Sequence, residues 1–326
     1  MTRDDDPGSV PGGMPPETLP EMPKDACAGF IALIGAPNAG KSTLLNQMVG
    51  SDVAIVSPKV QTTRARMTGI CMVGNIQLAF VDTPGIFMPK RRLDRAMVAA
   101  AWAAIKDADA VVLIVDAERA AKARGSMDPE TAAIVAQLKT RSVTAVLVLN
   151  KIDLVPRDAL LAVTAAHDAA GTFAPVFMVS ARNGDGVALL KYHLAQAMPP
   201  GPWFYPPDQL SDVPMRLLAA ELTREQAFLQ LHQELPYGLT VETDSWEERE
   251  DGSARVDQTI LVARETHKGM VVGKGGTKVR AIGEASRRRL EDFLGRRVHL
   301  FVHVKVKSDW MEKSGHYREI GLEFKS

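Results

Sequence analysis

The sequence predicts an α/β fold with a mainly parallel sheet and helices on both faces, followed by a small α+β domain. The first observation is that short apolar segments alternate with helical patterns from residue 28 to about residue 198. The second is a proline-rich interruption after that stretch, and the third is a different order of elements beyond it. A chain of 326 residues accommodates two domains of this kind, at roughly 100–200 residues each.

Composition limits the class of protein. A hydrophobic fraction of 46% and a charged fraction of 24% are typical of a globular chain. The two cysteines, Cys27 and Cys71, form no CxxC pair, which excludes a disulfide scaffold and a cysteine-based zinc site. The first 24 residues contain six prolines and lack the pattern of a signal peptide. We therefore expect a cytoplasmic protein with a disordered N-terminal tail at 1–27.

Five apolar segments predict the strands of the first domain, which we place at 28–198. Helical periodicity lies between most of them, so the strands are joined by crossover connections in a parallel sheet. Sheets of this type bind ligands beyond the carboxyl ends of their strands. The predicted strands are 30–34, 77–81, 110–115, 144–149 and 175–179, and the predicted helices are 93–105, 129–139, 157–170 and 187–197.

A stiff connector is predicted at 199–213, because five prolines and one glycine fall within residues 198–207. The second domain, 214–326, begins with a long helix at 214–234. Its apolar positions Met215, Leu218, Leu222 and Leu229 are expected on one face. Strands at 238–248 and 255–264, a glycine turn at 273–276, a helix to residue 293 and a strand at 298–307 complete this domain.

One segment matches the phosphate-binding pattern GxxxxGK[ST], directly after a strand and before a helix. Glycines let backbone N–H groups turn towards phosphates at a helix N-terminus. We expect Lys41 to reach the β- and γ-phosphates and Ser42 to bind Mg²⁺. The alternative is a glycine-rich turn that binds nothing. The predicted nucleotide-binding residues here are Gly35, Ala36, Pro37, Asn38, Ala39, Gly40, Lys41, Ser42 and Thr43.

A second motif, Asp82-Thr83-Pro84-Gly85, ends the strand at 77–81. Asp82 is expected to support Mg²⁺, and the Gly85 N–H to sense a γ-phosphate. Alone, this motif is more often a capping turn. In the polar stretch at 51–66, Thr62 or Thr63 would close onto Mg²⁺ when the γ-phosphate is present. We favour Thr63, although spacing does not separate the two.

A third group of residues predicts selectivity for guanine. Asp153, in the segment Asn150-Lys151-Ile152-Asp153, can accept hydrogen bonds from guanine N1–H and its 2-amino group, which adenine lacks. The alternative is that Asp153 caps a helix. Asn150 and Lys151 would brace the loop and cover the base. Ser180 and Ala181 end the strand at 175–179, where the Ala181 N–H would donate to the guanine carbonyl.

Slow hydrolysis is expected, because Ile86 follows the Asp82–Gly85 motif where Ras-like enzymes have a glutamine that orients water. Asn38 is a candidate ligand for a monovalent cation, K⁺, that would compensate. The alternative is that Asn38 only stabilises the loop turn. The candidate catalytic residues are Asn38, Lys41, Thr63 and Gly85, and the candidate metal ligands are Ser42, Thr63 and Asp82.

The order of these motifs matches a translation-factor-class GTPase, and from about residue 28 to its end the chain closely resembles the bacterial Era GTPases. The segments that carry the resemblance are GAPNAGKSTLLNQMVG, SPKVQTTRAR, VDTPGI, NKIDLV, MPPGPWFYPPDQLSD, ELPYGLTVET and GKGG. The resemblance implies a Ras-like GTPase domain joined to a type II KH domain. It also implies binding to the 3′ end of small-subunit ribosomal RNA during ribosome maturation, and peripheral membrane association in some members. Phe87 departs from the histidine that many relatives carry.

The RNA site is expected at the glycine turn, which fits the GxxG loop of KH domains, where glycines allow backbone amides to approach phosphates. A lone GxxG is more often a plain turn between helices. Charge supports the RNA interpretation: residues 264–307 hold twelve basic and four acidic side chains, whereas residues 242–257 carry a net charge of −5. The predicted RNA-binding residues are Gly273, Lys274, Gly275, Gly276, Lys278 and Arg280.

These patterns favour a slow GTPase switch that binds GTP or GDP with Mg²⁺. The resemblance implies that it binds ribosomal RNA and assists small-subunit assembly, and we expect a monomer. The alternative is an RNA-binding KH scaffold whose nucleotide site has negligible turnover. The intact set of Lys41, Ser42, Asp82 and Asp153 favours the first.

Overall fold

The computed structural model describes residues 22–57, 62–63, 67–89, 92–123, 127–168, 173–231, 235–308 and 310. Most of the predicted N-terminal tail and the last sixteen residues of the predicted second domain lie outside the described residues. So do the ends of two predicted helices and much of the SPKVQTTRAR segment.

The first part of the chain forms a six-stranded sheet in the order β2-β3-β1-β4-β5-β6. All neighbouring pairs are parallel except β2 with β3. Two apolar clusters lie on opposite faces of the sheet, as expected for strands covered on both sides. The strands are β1 (Cys27–Ile34), β2 (Met67–Val73), β3 (Ile76–Asp82), β4 (Ala110–Asp116), β5 (Ala145–Asn150) and β6 (Phe173–Val179).

Among the described residues, six α-helices accompany this sheet, and four of them match the predicted helical patterns. Sequence analysis did not identify β2 or the short helix α3. Gly69 weakens the strand signal of β2, and a Cβ there would lie 2.5 Å from Leu45 Cδ1, so the glycine lets α1 pack closely. The helices are α1 (Lys41–Val49), α2 (Arg92–Lys106), α3 (Ala117–Lys122), α4 (Pro129–Thr140), α5 (Arg157–Asp168) and α6 (Val187–Gln196).

The proline-rich connector lies against the first sheet. It runs along the edge strand β2, where the Ile70 N–H donates to the Leu210 carbonyl at 2.8 Å. The Phe204 ring stacks on Phe30 at 4.6 Å between centroids. Gln77 accepts from the Phe204 N–H at 2.8 Å and donates to the Tyr205 carbonyl at 2.8 Å. The connector therefore covers an edge that would otherwise expose unpaired backbone groups.

The second part of the chain forms a three-stranded sheet in the order β7-β8-β9, with β7 antiparallel and β9 parallel to β8. An apolar cluster lies between this sheet and its helices. Helix α8 was not predicted. The elements are α7 (Met215–Gln230), β7 (Leu239–Glu248), β8 (Ala254–Val262), α8 (Glu265–Val272), α9 (Thr277–Leu294) and β9 (Val298–Val306).

The predicted apolar face of α7 is partly wrong. Leu218 and Leu222 are buried as expected, but Met215 and Leu229 are exposed. Phe228 is buried instead of its neighbour Leu229. Nearly every side chain from residue 218 to residue 228 is buried because α7 packs against its own sheet and also against the first domain. The predicted α/β fold followed by a small α+β unit is confirmed, and no described helix is long and apolar enough to span a membrane.

Candidate functional site

A cleft of about 600 Å³ lies at the carboxyl ends of the first sheet's parallel strands. Parallel pairing places the ends of the strands side by side: Asp82 at the end of β3 lies beside Leu33 of β1, and Asn150 of β5 lies beside Asp116 of β4 and Val179 of β6. The lining includes residues from all four predicted segments, which are the GxxxxGK[ST] loop, the polar stretch, the Asp82–Gly85 motif and the guanine-recognition segments. The sheet therefore brings the separate motifs together.

Two glycines of the GxxxxGK[ST] loop are required by close contacts. Gly35 has a φ of 152°, and a Cβ there would lie 2.3 Å from the Ile114 carbonyl oxygen. Gly40 has a φ of 97°, and a Cβ there would lie 2.2 Å from Asn150 Nδ2. Because side chains are disfavoured at such φ values and would meet these atoms, only glycine fits both positions. The loop can therefore bring its backbone close to a ligand.

Lys41 is the first residue of α1, and its side chain is folded into the loop. Its ammonium group donates to the Gly35 carbonyl at 3.2 Å and to the Ala36 carbonyl at 3.0 Å. Burial lowers its pKa to about 8, against the raising effect of the Asp82 carboxylate. Such a desolvated cation is suited to an anionic ligand such as a phosphate chain.

Ser42, Thr63 and Asp82 form an oxygen cluster beside Lys41. The Ser42 hydroxyl donates to Asp82 Oδ2 at 2.7 Å, and Thr63 Oγ1 lies 2.8 Å from Ser42 Oγ and 3.2 Å from Asp82 Oδ2. Burial raises the pKa of Asp82, while Lys41 and these hydroxyl groups oppose the rise. Asp82 Oδ1 is buried and has no hydrogen-bond partner among the described residues. Hydroxyl and carboxylate oxygens with one unpaired acceptor fit Mg²⁺.

The contacts of Thr62 and Thr63 show which of the two lies at the oxygen cluster, a question that their spacing in the sequence did not answer. Thr62 Oγ1 lies 2.6 Å from Ser57 Oγ, within the loop itself. Thr63 is buried against Ser42 and Asp82, so the contacts favour Thr63 as the candidate metal ligand.

The Asp82–Gly85 motif packs against the phosphate-binding loop. The Thr83 hydroxyl donates to the Leu33 carbonyl at 2.7 Å, and the Ile86 N–H donates to the Gly35 carbonyl at 3.0 Å. A Cβ at Gly85 would lie 2.9 Å from the backbone of Pro37, so a side chain there would displace one of the two segments. The motif is thus in direct contact with the loop, and Pro84 lies buried between Thr83 and Gly85.

Hydrogen bonds connect the guanine-recognition segments to each other and to the phosphate-binding loop. Asn150 donates to the Ala39 carbonyl at 2.9 Å and accepts from the Ala181 N–H at 2.9 Å, so it joins the phosphate loop to the segment after β6. The Ser180 hydroxyl donates to Asp153 Oδ1 at 2.6 Å and fixes that carboxylate.

Lys151 is held by the acidic residue that ends the neighbouring strand β4. Its ammonium forms an ion pair with Asp116 at 2.6 Å, and its backbone has a φ of 67°. Lys151, Asp153 and Ala181 line the same cleft. These residues are arranged as a base-binding site requires.

Asn38 is exposed at the mouth of the cleft with a φ of 62°. Asparagine tolerates this left-handed conformation better than most residues, which favours the loop-turn alternative without testing the role in cation binding. Thr43 follows Ser42 on α1 and also lines the cleft. The lining adds residues that sequence analysis did not assign to the site, because apolar and isolated basic residues carry no motif signal. They are Ile55, Val56, Phe87, Leu154 and Arg182.

The GxxG turn joins α8 to α9 in an open conformation. Gly273, Gly275 and Gly276 have φ values of 71°, 59° and 75°. A Cβ at Gly275 or Gly276 would meet no atom within 4 Å, so this backbone is accessible to a large ligand. The turn immediately precedes the N-terminus of the 18-residue helix α9, where the helix dipole favours anions.

Two groups of basic residues in the second domain differ in whether they are paired with acidic side chains. Towards the far end of α9 and beyond, Arg287, Arg288, Arg289 and Arg296 are paired with acidic side chains. Around the GxxG turn, the cations form no ion pair with another described residue. The sequence did not single out Lys268, or the exposed Met270, because α8 itself was missed. The cations around the turn are Lys268, Lys274, Lys278 and Arg280.

Comparison with known proteins agrees with both parts of the structure. Residues 30–151 match a family model described as a 50S ribosome-binding GTPase, and residues 234–311 match a KH domain model. The chain is 53% identical to GTPase Era of Dinoroseobacter shibae over 91% of this chain and 96% of the relative. It is 54% identical to GTPase Era of Mesorhizobium japonicum over 91% of this chain and 94% of the relative.

Two solved Era structures are similar over both domains. One is Era in complex with MgGDPNP and nucleotides 1506–1542 of 16S ribosomal RNA, with a TM-score of 0.84 and 32% identity, covering 91% of this chain and 99% of that one. The other is a variant of Aquifex aeolicus Era bound to GDP·AlF4⁻, with a TM-score of 0.83 and 32% identity, covering 90% and 99%. With its nucleotide cleft, its KH-like unit and relatives of this identity and coverage, the chain belongs to the Era family of GTPases.

Proposed function

We propose that this GTPase is a slow switch that binds the 3′ end of small-subunit ribosomal RNA and assists assembly of the small ribosomal subunit. The observation that carries the nucleotide half is the Ser42–Thr63–Asp82 oxygen cluster beside the buried Lys41. The observation that carries the RNA half is the open GxxG turn, surrounded by cations that form no ion pair within the described part of the chain. A similar Era structure contains this stretch of ribosomal RNA together with MgGDPNP.

In this proposal, GTP or GDP occupies the cleft with its phosphates on the 35–43 loop. Lys41 neutralises charge on the β- and γ-phosphates, and the Gly85 N–H contacts the γ-phosphate. Bound Mg²⁺ would be held through Ser42, Thr63 and Asp82 and would neutralise charge that develops on the phosphates. Thr83 and Pro84 set the path of the chain into Gly85.

Guanine would lie against Asn150, Lys151, Asp153 and Ala181. Ser180 already donates to Asp153 Oδ1, and that carboxylate has further acceptor capacity for guanine N1–H and the 2-amino group. Adenine offers no donors to this solvent-exposed carboxylate, so it would forgo hydrogen bonds to a charged group, each worth about 1.5–3 kcal/mol. Support for guanine over adenine therefore comes from the fixed carboxylate.

For RNA, the proposal uses Gly273, Lys274, Gly275 and Gly276 to approach the backbone closely, with Lys278 and Arg280 supplying charge on the first turns of α9. The ion pairs formed by the distal arginines favour RNA at the GxxG end of the helix. Cations without acidic partners contribute more to phosphate binding, because no competing ion pair must be broken.

The proposal assigns GTP binding to 28–198, a connector to 199–213 and RNA binding to 214–326. It places the protein in the cytoplasm as a monomer, in agreement with the reduced cysteines Cys27 and Cys71. Peripheral contact with the inner face of the cell membrane and activation by K⁺ stay predictions.

The test is binding of a small-subunit 3′-tail RNA to the full chain with a GTP analogue and with GDP. We expect measurable affinity that differs between the nucleotides. Changing Gly275 and Gly276 to Asp should weaken RNA binding at least about tenfold, because it adds two negative charges and removes glycines from left-handed positions. The same variant should bind GDP normally. Unchanged RNA affinity would contradict the KH assignment, and RNA binding without any GTP hydrolysis would favour the scaffold alternative.

A further inference from the structure

Helix α7 of the KH unit contacts the loop that leads to Thr63. The Val56 N–H donates to Glu225 Oε1 at 2.8 Å, and an Arg224 Nη2 hydrogen donates to the Thr62 carbonyl. Val56 and Thr62 both line the nucleotide cleft. Residues 58–61, which lie between them in the sequence, are outside the described residues. The loop is therefore held by two consecutive side chains of a helix about 160 residues away in the sequence.

The Arg224 side chain is held by other residues of α7. Its guanidinium is 1% exposed and pairs with Glu221, through Nε to Oε1 at 2.8 Å and through Nη2 to Oε2. It also lies over the Phe228 ring, 5.0 Å from the centroid. Its planar fork can bind the carboxylate and the loop carbonyl together, which a lysine ammonium does less well. The orientation of Arg224 is thus set within α7.

The next residue along the loop is Thr63, whose hydroxyl faces the Ser42–Asp82 pair. The Thr62 carbonyl and the Thr63 side chain are separated by one peptide unit, which is planar and stiff. Fixing the carbonyl therefore limits where the Thr63 hydroxyl can lie. A displaced carbonyl would therefore disfavour the 2.8 Å contact between the Thr63 hydroxyl and Ser42.

We propose that Arg224, oriented by Glu221, is a positioning residue for GTP hydrolysis that holds the Thr62 carbonyl so that Thr63 meets the metal-binding cluster. The KH unit then supplies part of the geometry of the GTPase site. This inference rests on the proposed role of Thr63, so the experiment below separates the two.

A second ion-paired contact supports the same docking. Arg289 of α9 binds Asp52 at 2.9 Å and Glu225 at 3.5 Å. Glu225 is therefore shared between the loop and α9. Helix α7 and helix α9 thus both hold the segment between α1 and Thr63. Of these contacts, the one from Arg224 lies nearest in sequence to Thr63 and the oxygen cluster.

The experiment uses the full chain and two variants. The double variant Glu221→Gln, Arg224→Met removes the pair together, because removing one partner alone would leave a buried charge. The variant Arg224→Lys keeps the charge for Glu221 but loses the fork, and it serves if the double variant folds poorly. The matched control is Glu118→Gln, Lys122→Met, which makes the same charge change at an exposed ion pair on α3, outside the cleft lining.

The measurements are kcat and KM for GTP at several Mg²⁺ concentrations, affinity for GDP, and thermal unfolding. We expect kcat to fall about tenfold or more, since misplacing a catalytic group by about 1 Å costs as much as 100-fold. More Mg²⁺ should be needed for half-maximal rate. Affinity for GDP should stay within about twofold, because GDP has no γ-phosphate for Thr63 to approach. The control should match the parent chain.

The inference is wrong if kcat stays within about twofold of the parent value. It is also wrong if kcat and GDP affinity fall together, because Arg224 would then support the whole cleft. Combining each variant with Thr63→Ala should lower kcat no further than Thr63→Ala alone, since both act through one contact. If Thr63→Ala itself leaves hydrolysis unchanged, the metal-ligand assignment in the proposed function fails instead.

Discussion

The buried Lys41 makes guanine nucleotide binding depend on pH in a defined direction. Burial lowers the pKa of Lys41 to about 8 from an ordinary value of 10.5. A difference of that size corresponds to about 3 kcal/mol of unfavourable charge burial. Phosphates near the ammonium would restore its pKa, because they favour the charged form. The complex therefore holds more protons than the free protein when the pH is near 8.

The size of the effect follows from the two pKa values. With a free-protein pKa of about 8, GDP binding should take up about one tenth of a proton at pH 7, about half at pH 8 and about nine tenths at pH 9. Binding weakens as pH rises, since the free protein must gain a proton to bind. The affinity should fall about tenfold between pH 7 and pH 9.

Titration calorimetry in two buffers with different ionisation enthalpies measures this uptake directly. GDP without Mg²⁺ is the ligand, so that metal binding at Asp82 does not contribute. The matched variant is Lys41→Arg, because a guanidinium stays protonated throughout this range. Any ionisation of the nucleotide occurs equally in both proteins. Proton uptake below about 0.1 at pH 8, or equal uptake in the variant, would refute the argument.

Two other predictions concern the phosphate-binding loop. Gly40→Ala should weaken guanine nucleotide binding by about 1–3 kcal/mol, because a Cβ would displace Asn150 in addition to the strained φ. Gly50→Ala is its control: its φ is also positive, at 80°, but no atom lies within 4 Å of a Cβ there, so equal losses of affinity would contradict the contact argument. Hydrolysis should be faster in K⁺ than in Na⁺ and lose this preference in Asn38→Ala, and equal rates in the parent chain would remove the proposed cation role.

Much of the nucleotide cleft could be predicted because its motifs lie at the ends of strands. Asp82 and Asn150 each end an apolar segment, and parallel pairing brings such ends to one edge. The sequence favours Thr63, but its spacing does not separate it from Thr62, since both have the same chemistry and adjacent positions. The contacts of the Thr63 hydroxyl with Ser42 and Asp82 distinguish it from Thr62.

The errors on α7 have a single physical cause. Periodicity predicted one buried face, but the helix packs on two sides, so Glu221 and Arg224 are buried as well. A charged residue within a helical pattern is normally read as solvent-exposed. The exposed Leu229 and Met215 mark the ends of the true buried surface. Packing between domains that are distant in sequence leaves no signal in the local sequence pattern. The contact of α7 with the first domain could therefore not be predicted.

The charge pattern of the second domain likewise could not reveal which side chains contact the first domain. The whole chain has zero net charge, and residues 264–307 hold eight more basic than acidic side chains. Counting charge along the sequence treats all these cations as equivalent, yet Arg289 is committed to Asp52 and Glu225 in the interface. Lys274 at the GxxG turn has no such partner among the described residues. The basic stretch therefore differs along its length in what it contacts. Arg289 joins α9 to the first domain through Asp52, whereas Arg287 and Arg288 pair with acidic residues of α9 itself. The GxxG turn directly precedes the helix that makes this docking contact, because Arg289 lies further along α9 and pairs with Glu225, the residue next to Arg224 on α7.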